Sequence, residues 1–87
     1  MIHELKIDDK QFDAIWAGDK THEVRVNDRD YKVFDVLKFT KTWKESDSLG
    51  TSRCSATIHA LITDITLQGT YDLPPHVCCM SIKVFKR

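Results

Sequence analysis

Apolar and polar residues alternate with a period of two over five stretches of the chain, and one stretch breaks that rhythm. Leu5 and Ile7 alternate with Glu4 and Lys6, which predicts a short first strand with one buried face. In residues 21–26, His22, Val24 and Val26 lie on one side and Glu23 and Arg25 on the other, which predicts a second strand. Residues 36–43 set Leu37, Phe39 and Trp43 on one face of a third. Residues 54–65 alternate Ala56, Ile58, Ala60 and Ile62 with Ser55, Thr57 and His59, and residues 77–85 close the series with Cys78, Met80, Ile82 and Val84 as the apolar face. The exception is Asp9–Ala17, where Phe12, Ile15 and Trp16 recur at i, i+3 and i+4, the spacing of a one-sided helix. Asp8 stands at its N-cap with Gln11 three positions on, and Ile7 and Phe12 are placed for a hydrophobic staple. Gly18 supplies the left-handed residue that ends the helix, and Phe12, Ile15 and Trp16 are assigned to the core.

Between these elements, Asn27-Asp28-Arg29-Asp30 is a polar turn whose side chains can bond their own backbone, and residues 69–75 form a second turn with adjacent prolines. Residues 44–52 hold Ser, Asp, Gly and Thr with no apolar rhythm, and are read as the longest mobile loop. Five strands and one main helix in 87 residues predict a β-rich α+β fold, a small sheet bent into a partly open barrel with the helix plugging one end. A chain of this length supports one core, so residues 1–87 are expected to form one domain.

Charge narrows the function classes. Thirteen basic residues balance thirteen acidic ones, which argues against bulk attraction to nucleic acid or an anionic membrane. The distribution is uneven: residues 1–19 carry five acids against two bases, whereas residues 81–87 carry three bases and no acid, so an anionic ligand would be met locally. No stretch approaches the ~20 apolar residues of a membrane span, and no signal-like block follows Met1, so a cytoplasmic location without a membrane partner is expected. Three cysteines are an odd number for a disulfide framework, and the adjacent Cys78 and Cys79 point to opposite faces of their strand. His3, His22, His59 and His76 lack ligand spacing, so reduced thiols, no metal and no cofactor are expected. His59, set among apolar neighbours, reads as a half-buried histidine with a satisfied ring.

The densest polar constellation runs from Gly18 to Lys32. A lysine after the helix, followed by Glu23 and Arg25 on one strand face, puts a donor, an acceptor and a planar fork in one small area, a combination that suits a base edge or a phosphate. On spacing alone the same residues read rather as a solvated ion-pair network, because charge runs usually form solvated faces; the order of the residues is what shifts that balance. Tyr31, Trp43 and Tyr71 are candidate stacking residues, and Tyr71 is the best placed, in a Gly-Thr-Tyr-Asp-Leu-Pro-Pro loop with little core to join.

The order Gly18-x-Lys20-x-x-Glu23-x-Arg25 directly after a short amphipathic helix resembles the ASCH domain of the PUA-like superfamily. The whole chain resembles a small uncharacterised ASCH-like family of bacteria and phages. His3-Glu4-Leu5-Lys6-Ile7 is similar to its opening strand, Glu23-Val24-Arg25 with Asn27-Asp28-Arg29-Asp30 to its signature, Leu67-Gln68-Gly69 with Tyr71 and Leu73 to its late loop, and Met80-Ser81-Ile82 to its final strand. The chain departs from that pattern where Val33-Phe34-Asp35 replaces Val-Gly-Asp, and where Thr42-Trp43-Lys44 replaces a more acidic Glu-Trp-Asp.

The resemblance implies a PUA-like five- or six-stranded barrel that binds RNA or a modified nucleotide or nucleoside in a cleft beside this segment. Lys20, Glu23, Arg25, Asn27, Arg29 and Tyr71 would be its ligand-binding residues. Lys20 and Arg25 would take phosphate or ring acceptors, and Glu23 would accept from an exocyclic amine. An alternative is a small amidohydrolase acting on acylated cytidine nucleosides, with Lys20 and Glu23 in the catalytic roles. A third is a protein-interaction module in which the polar segment only stabilises the barrel. A concave, partly desolvated meeting of Lys20, Glu23 and Arg25 separates the binding readings from the third.

Overall fold

The computed structural model describes residues 1–66 and 76–85. The chain runs β1 (Ile2–Lys6), α1 (Asp9–Ala17), β2 (His22–Val26), β3 (Val36–Asp47), β4 (Gly50–Thr66) and β5 (Val77–Val84). The strands form one sheet in the order β1-β3-β4-β5-β2. β1 lies parallel to β3, and the other neighbours are antiparallel. The β-rich α+β expectation therefore holds, but β1 and β2 are the two edges of an open sheet, and closure into a barrel is not seen.

The helix forms where its capping signals put it. Asp8 Oδ1 accepts the Gln11 amide at 2.8 Å, and Gly18, at φ 85°, turns the chain out of the helix. Phe12 and Ile15 are buried and join Leu5, Leu37, Phe39, Ile58, Ala60, Ile62, Cys78, Met80 and Ile82 in one core on the concave side of the sheet. Trp16 is a correction: it is 51% exposed. It lies about 100° round the helix from Ile15, at the margin of the apolar stripe, so full burial of its ring does not contribute to stability.

A second correction concerns residues 44–52, which are strand rather than loop. β3 and β4 pair continuously from Val36↔Leu61 to Asp47↔Gly50 around a two-residue turn. In that turn Asp47 Oδ1 accepts the Leu49 amide at 2.8 Å, and Gly50 has φ 131°. β1 pairs no further than Thr40 and β5 no earlier than Ala60, so the far part of the hairpin is a two-stranded arm. The arm contributes to a longest dimension of 53 Å against 29 and 24 Å across. Both faces of such a ribbon meet water, so it needs no apolar alternation to be a strand, and that is why its sequence reads as loop. His59 also differs from expectation, since it is exposed on the outer face of β4.

At the entry to β3, Phe34 adopts φ 74° with its ring 75% exposed, while its amide bonds Ile62 O at 2.8 Å. A bulky side chain gains nothing in this left-handed position that glycine would not supply. Phe34→Gly is therefore expected to raise stability by up to about 1 kcal/mol in urea denaturation, whereas a loss of that size would mean that the ring contributes packing.

Candidate functional site

The helix C-cap sets the first candidate side chain. The amides of Asp19 and Lys20 both donate to Ala14 O, at 3.0 and 3.1 Å, which fixes the turn that sends Lys20 back along the helix. Its Nζ donates to Gln11 Oε1 and, at 3.2 Å, to Glu23 Oε1. β2 then carries an inverted pattern. Register pairs Glu23 with Met80 and Arg25 with Cys78, both buried, so the polar side of β2 faces inward while Val24 and Val26 are 50% and 58% exposed. Only 5% of Glu23 is exposed, and its second oxygen, Oε2, accepts from Arg25 Nε at 3.2 Å.

Arg25 does a second thing: its Nη2 donates to Lys6 O at 3.2 Å, and Arg29 Nη1 donates to Glu4 O at 3.0 Å. Both acceptors belong to β1, the opposite edge of the sheet. Two guanidinium groups thus occupy carbonyls that a sixth strand would otherwise pair, and they draw the edges together. Lys20, Glu23 and Arg25 meet on the wall of an open cleft of about 520 Å³, lined also by Lys6, Ile7, Asp8, Gln11 and His22. A second cavity of about 570 Å³ lies beside the seam, between Arg25 and Arg29 and the hydroxyls of Thr40 and Thr42.

Of the remaining expected site residues, Asn27 has a local role, its Oδ1 accepting the Tyr31 amide at 3.3 Å within the turn. Tyr31 is not available for stacking: it is 5% exposed and in the core. Burial pushes its hydroxyl pKa up, against the lowering effect of Arg29 and Arg25. Trp43 is partly buried on the arm, donating to Glu45 Oε1 at 3.1 Å with Lys41 Nζ 5.3 Å from its ring. Tyr71 and the rest of the late loop lie outside the described residues. The three thiols are free, and burial raises the pKa of Cys78. Among the described residues no helix is long and apolar enough to cross a membrane.

A buried cluster that the sequence did not reveal lies across the core. His3 is 4% exposed, packs edge-on to Tyr31 with ring centroids 4.8 Å apart, and donates from Nε2 to Asp35 Oδ2 at 2.8 Å. Asp35 also takes the Lys32 amide at 3.2 Å and the amine of Met1 at 3.3 Å. The His3 bond is the main reason its carboxyl sits below the ordinary value near 3.8. His3 and Asp35 are 32 positions apart, so only the β1–β3 pairing brings them together.

The fold and cleft define a small β-rich α+β domain with a basic-acidic-basic triad at the seam of a curled sheet. The family model described as "Domain of unknown function (DUF3850)" matches residues 2–82, and the chain belongs to that family. No curated protein matches it.

Two outcomes follow from the buried groups. Glu23→Ala would leave Lys20 and Arg25 facing each other without their shared carboxylate, so it should cost about 1–3 kcal/mol, with Glu23→Gln at the low end. This replaces the near-zero cost expected of an exposed pair, and a loss below ~0.5 kcal/mol in chemical denaturation would contradict the burial of Glu23. For Asp35 the lowered pKa gives a definite sign: its contribution is complete above its unfolded value near 3.8 and is lost as pH falls through the lower folded value. Asp35→Asn should flatten the stability profile in that acid window, and an unchanged acid transition would show that another carboxylate governs it.

Proposed function

We infer that this chain is an ASCH-like, PUA-like domain that binds a nucleotide, free or within RNA, in the cleft at Lys20, Glu23 and Arg25. The observation that carries the reading is the convergence of these three side chains on one concave, partly desolvated wall, with the carboxylate 5% exposed and both cations within 3.2 Å of it. The Gly18-x-Lys20-x-x-Glu23-x-Arg25 order and the near approach of the sheet edges support it further.

The unused donors suit the ligand. Lys20 directs donors to Gln11 and Glu23 and keeps one, while Arg25 commits Nε to Glu23 and Nη2 to Lys6 O and, at 3.1 Å, to Glu23 Oε2, which leaves its Nη1 hydrogens. These remaining donors fit phosphate oxygens or ring acceptors. Glu23 holds both cations in place and retains lone pairs for an exocyclic amine. The cleft volume of about 520 Å³ lies within the usual ligand range, and its lining bases outnumber its acids.

Calorimetric titration with the four ribonucleoside monophosphates tests the reading. Lys20→Ala and Arg25→Ala should each weaken monophosphate binding by about tenfold, equivalent to about 1.4 kcal/mol, and Glu23→Gln should change which base is preferred. Monophosphate affinity that is absent, or untouched by Lys20→Ala and Arg25→Ala in folded protein, refutes it.

A further inference from the structure

The chain is neutral overall, yet its charge is sorted between the two faces of the sheet. On the helix side, Lys41 pairs with Asp9 and Asp13, and Asp8 and Asp19 flank them at the helix ends. The outer face is different. Register places Lys6, Lys38, Lys44, Arg53 and Lys83 there, because each alternates with core residues or stands opposite one that does. Glu4 and Asp64 are the acids that share this face among the described strand residues, and Lys38 takes Glu4 at 3.2 Å. The arm carries the sharpest feature: Lys44 and Arg53 stand directly opposite each other, both exposed, and neither has an ion-pair partner among the described residues. Like charges in this position destabilise a ribbon, so the fold itself gains nothing from them.

The surroundings of that pair are hydroxylic. Thr42 faces Ser55 and Ser46 faces Thr51 on the same side, so the cations sit within a band of short donors. Ser, Thr, Lys and Arg are the side chains that contact phosphates without reading bases. The aromatic of the arm, Trp43, is on the opposite face, so this surface lacks a stacking platform. Same-face residues along β3 rise about 6.8 Å, close to the separation of successive phosphates in an extended strand. The band is continuous with the site already described, because Thr40 and Thr42 line the cavity that Arg25 and Arg29 close from the other side.

We propose that the outer face of the β3–β4 arm, from Thr40 and Thr42 to Lys44 and Arg53, carries the sugar–phosphate backbone of a single-stranded polynucleotide whose neighbouring nucleotide occupies the Lys20–Glu23–Arg25 cleft. The arm contributes sequence-independent affinity through phosphate contacts, and the cleft contributes discrimination. The proposal rests on the cleft reading only for where the strand enters, since the charge and hydroxyl pattern of the arm stands without it.

Fluorescence anisotropy of the full chain with a labelled oligouridylate of about 12 nucleotides, a length within the usual span of single-strand sites, tests the arm against uridine monophosphate as the cleft-only ligand. The double variant Lys44→Ala/Arg53→Ala should weaken oligouridylate several-fold and lower the salt slope by about 1.4, at about 0.7 for each single-strand phosphate that is no longer neutralised. It should leave monophosphate affinity unchanged, and its melting temperature should equal or exceed that of the parent because a like-charge pair has been removed. Arg25→Ala weakens both ligands if the cleft reading also holds. If oligouridylate remains sensitive to the arm variant while monophosphate does not bind, the cleft reading fails and the arm proposal stands. An unchanged oligouridylate affinity and salt slope in the folded double variant overturns the arm proposal, as does binding of an RNA duplex or anionic vesicles as tightly as the single strand.

Discussion

A single carboxylate organises the cleft end of this molecule. Glu23 is an acid on an otherwise ordinary strand, yet it is turned into the protein with 5% exposure. An isolated charge in that position would be costly. Lys20 on one oxygen and Arg25 on the other make it tolerable, and the dependence is mutual, because two cations this close would repel without the anion between them. Lys20 reports the end of the helix and Arg25 reports the opposite sheet edge through Lys6 O, so the carboxylate ties α1, β2 and β1 together at one point.

That tie explains how a sheet with two free edges remains curled. β1 and β2 are separated by three strands in sheet order but joined in sequence by the nine residues of α1 and short turns. The helix spans the concave side, burying Phe12 and Ile15 over β3, and Arg25 and Arg29 occupy carbonyls of β1 that would otherwise be open to pairing. The cleft exists because the seam is crossed by side chains rather than by a backbone ladder. Long side chains leave gaps that main-chain bonds would not, and those gaps are lined by the donors that the crossing has left over.

Much of this was legible in the sequence, for identifiable reasons. The helix announced itself by Asp8, Gln11 and Gly18, which are local signals, and its bounds match the structure. The grouping of Lys20, Glu23 and Arg25 followed from helix-end and strand spacing. What alternation could not reveal is which side of β2 faces inward: a period of two distinguishes two faces without saying that Glu23 and Arg25 take the buried one. Trp16 was misplaced because an i, i+3, i+4 triad is wider than the contact a nine-residue helix makes with a sheet. The arm was invisible because pairing alone, without burial, holds 44–52 in a strand. The His3–Asp35 contact depends on a parallel pairing between distant segments, which no local pattern encodes.

In the function proposed for it, the cleft at Glu23 receives a nucleotide through the donors that Lys20 and Arg25 have left. The most direct measurement is a proton–nitrogen correlation spectrum that resolves the Arg25 side-chain Nε–H, recorded as uridine monophosphate is titrated into the full chain. The expected result is a downfield, ligand-bound Arg25 Nε signal, with backbone shifts confined to residues 6–8 and 18–26. An Arg25 signal that stays fixed while shifts appear elsewhere, or nowhere, would contradict it.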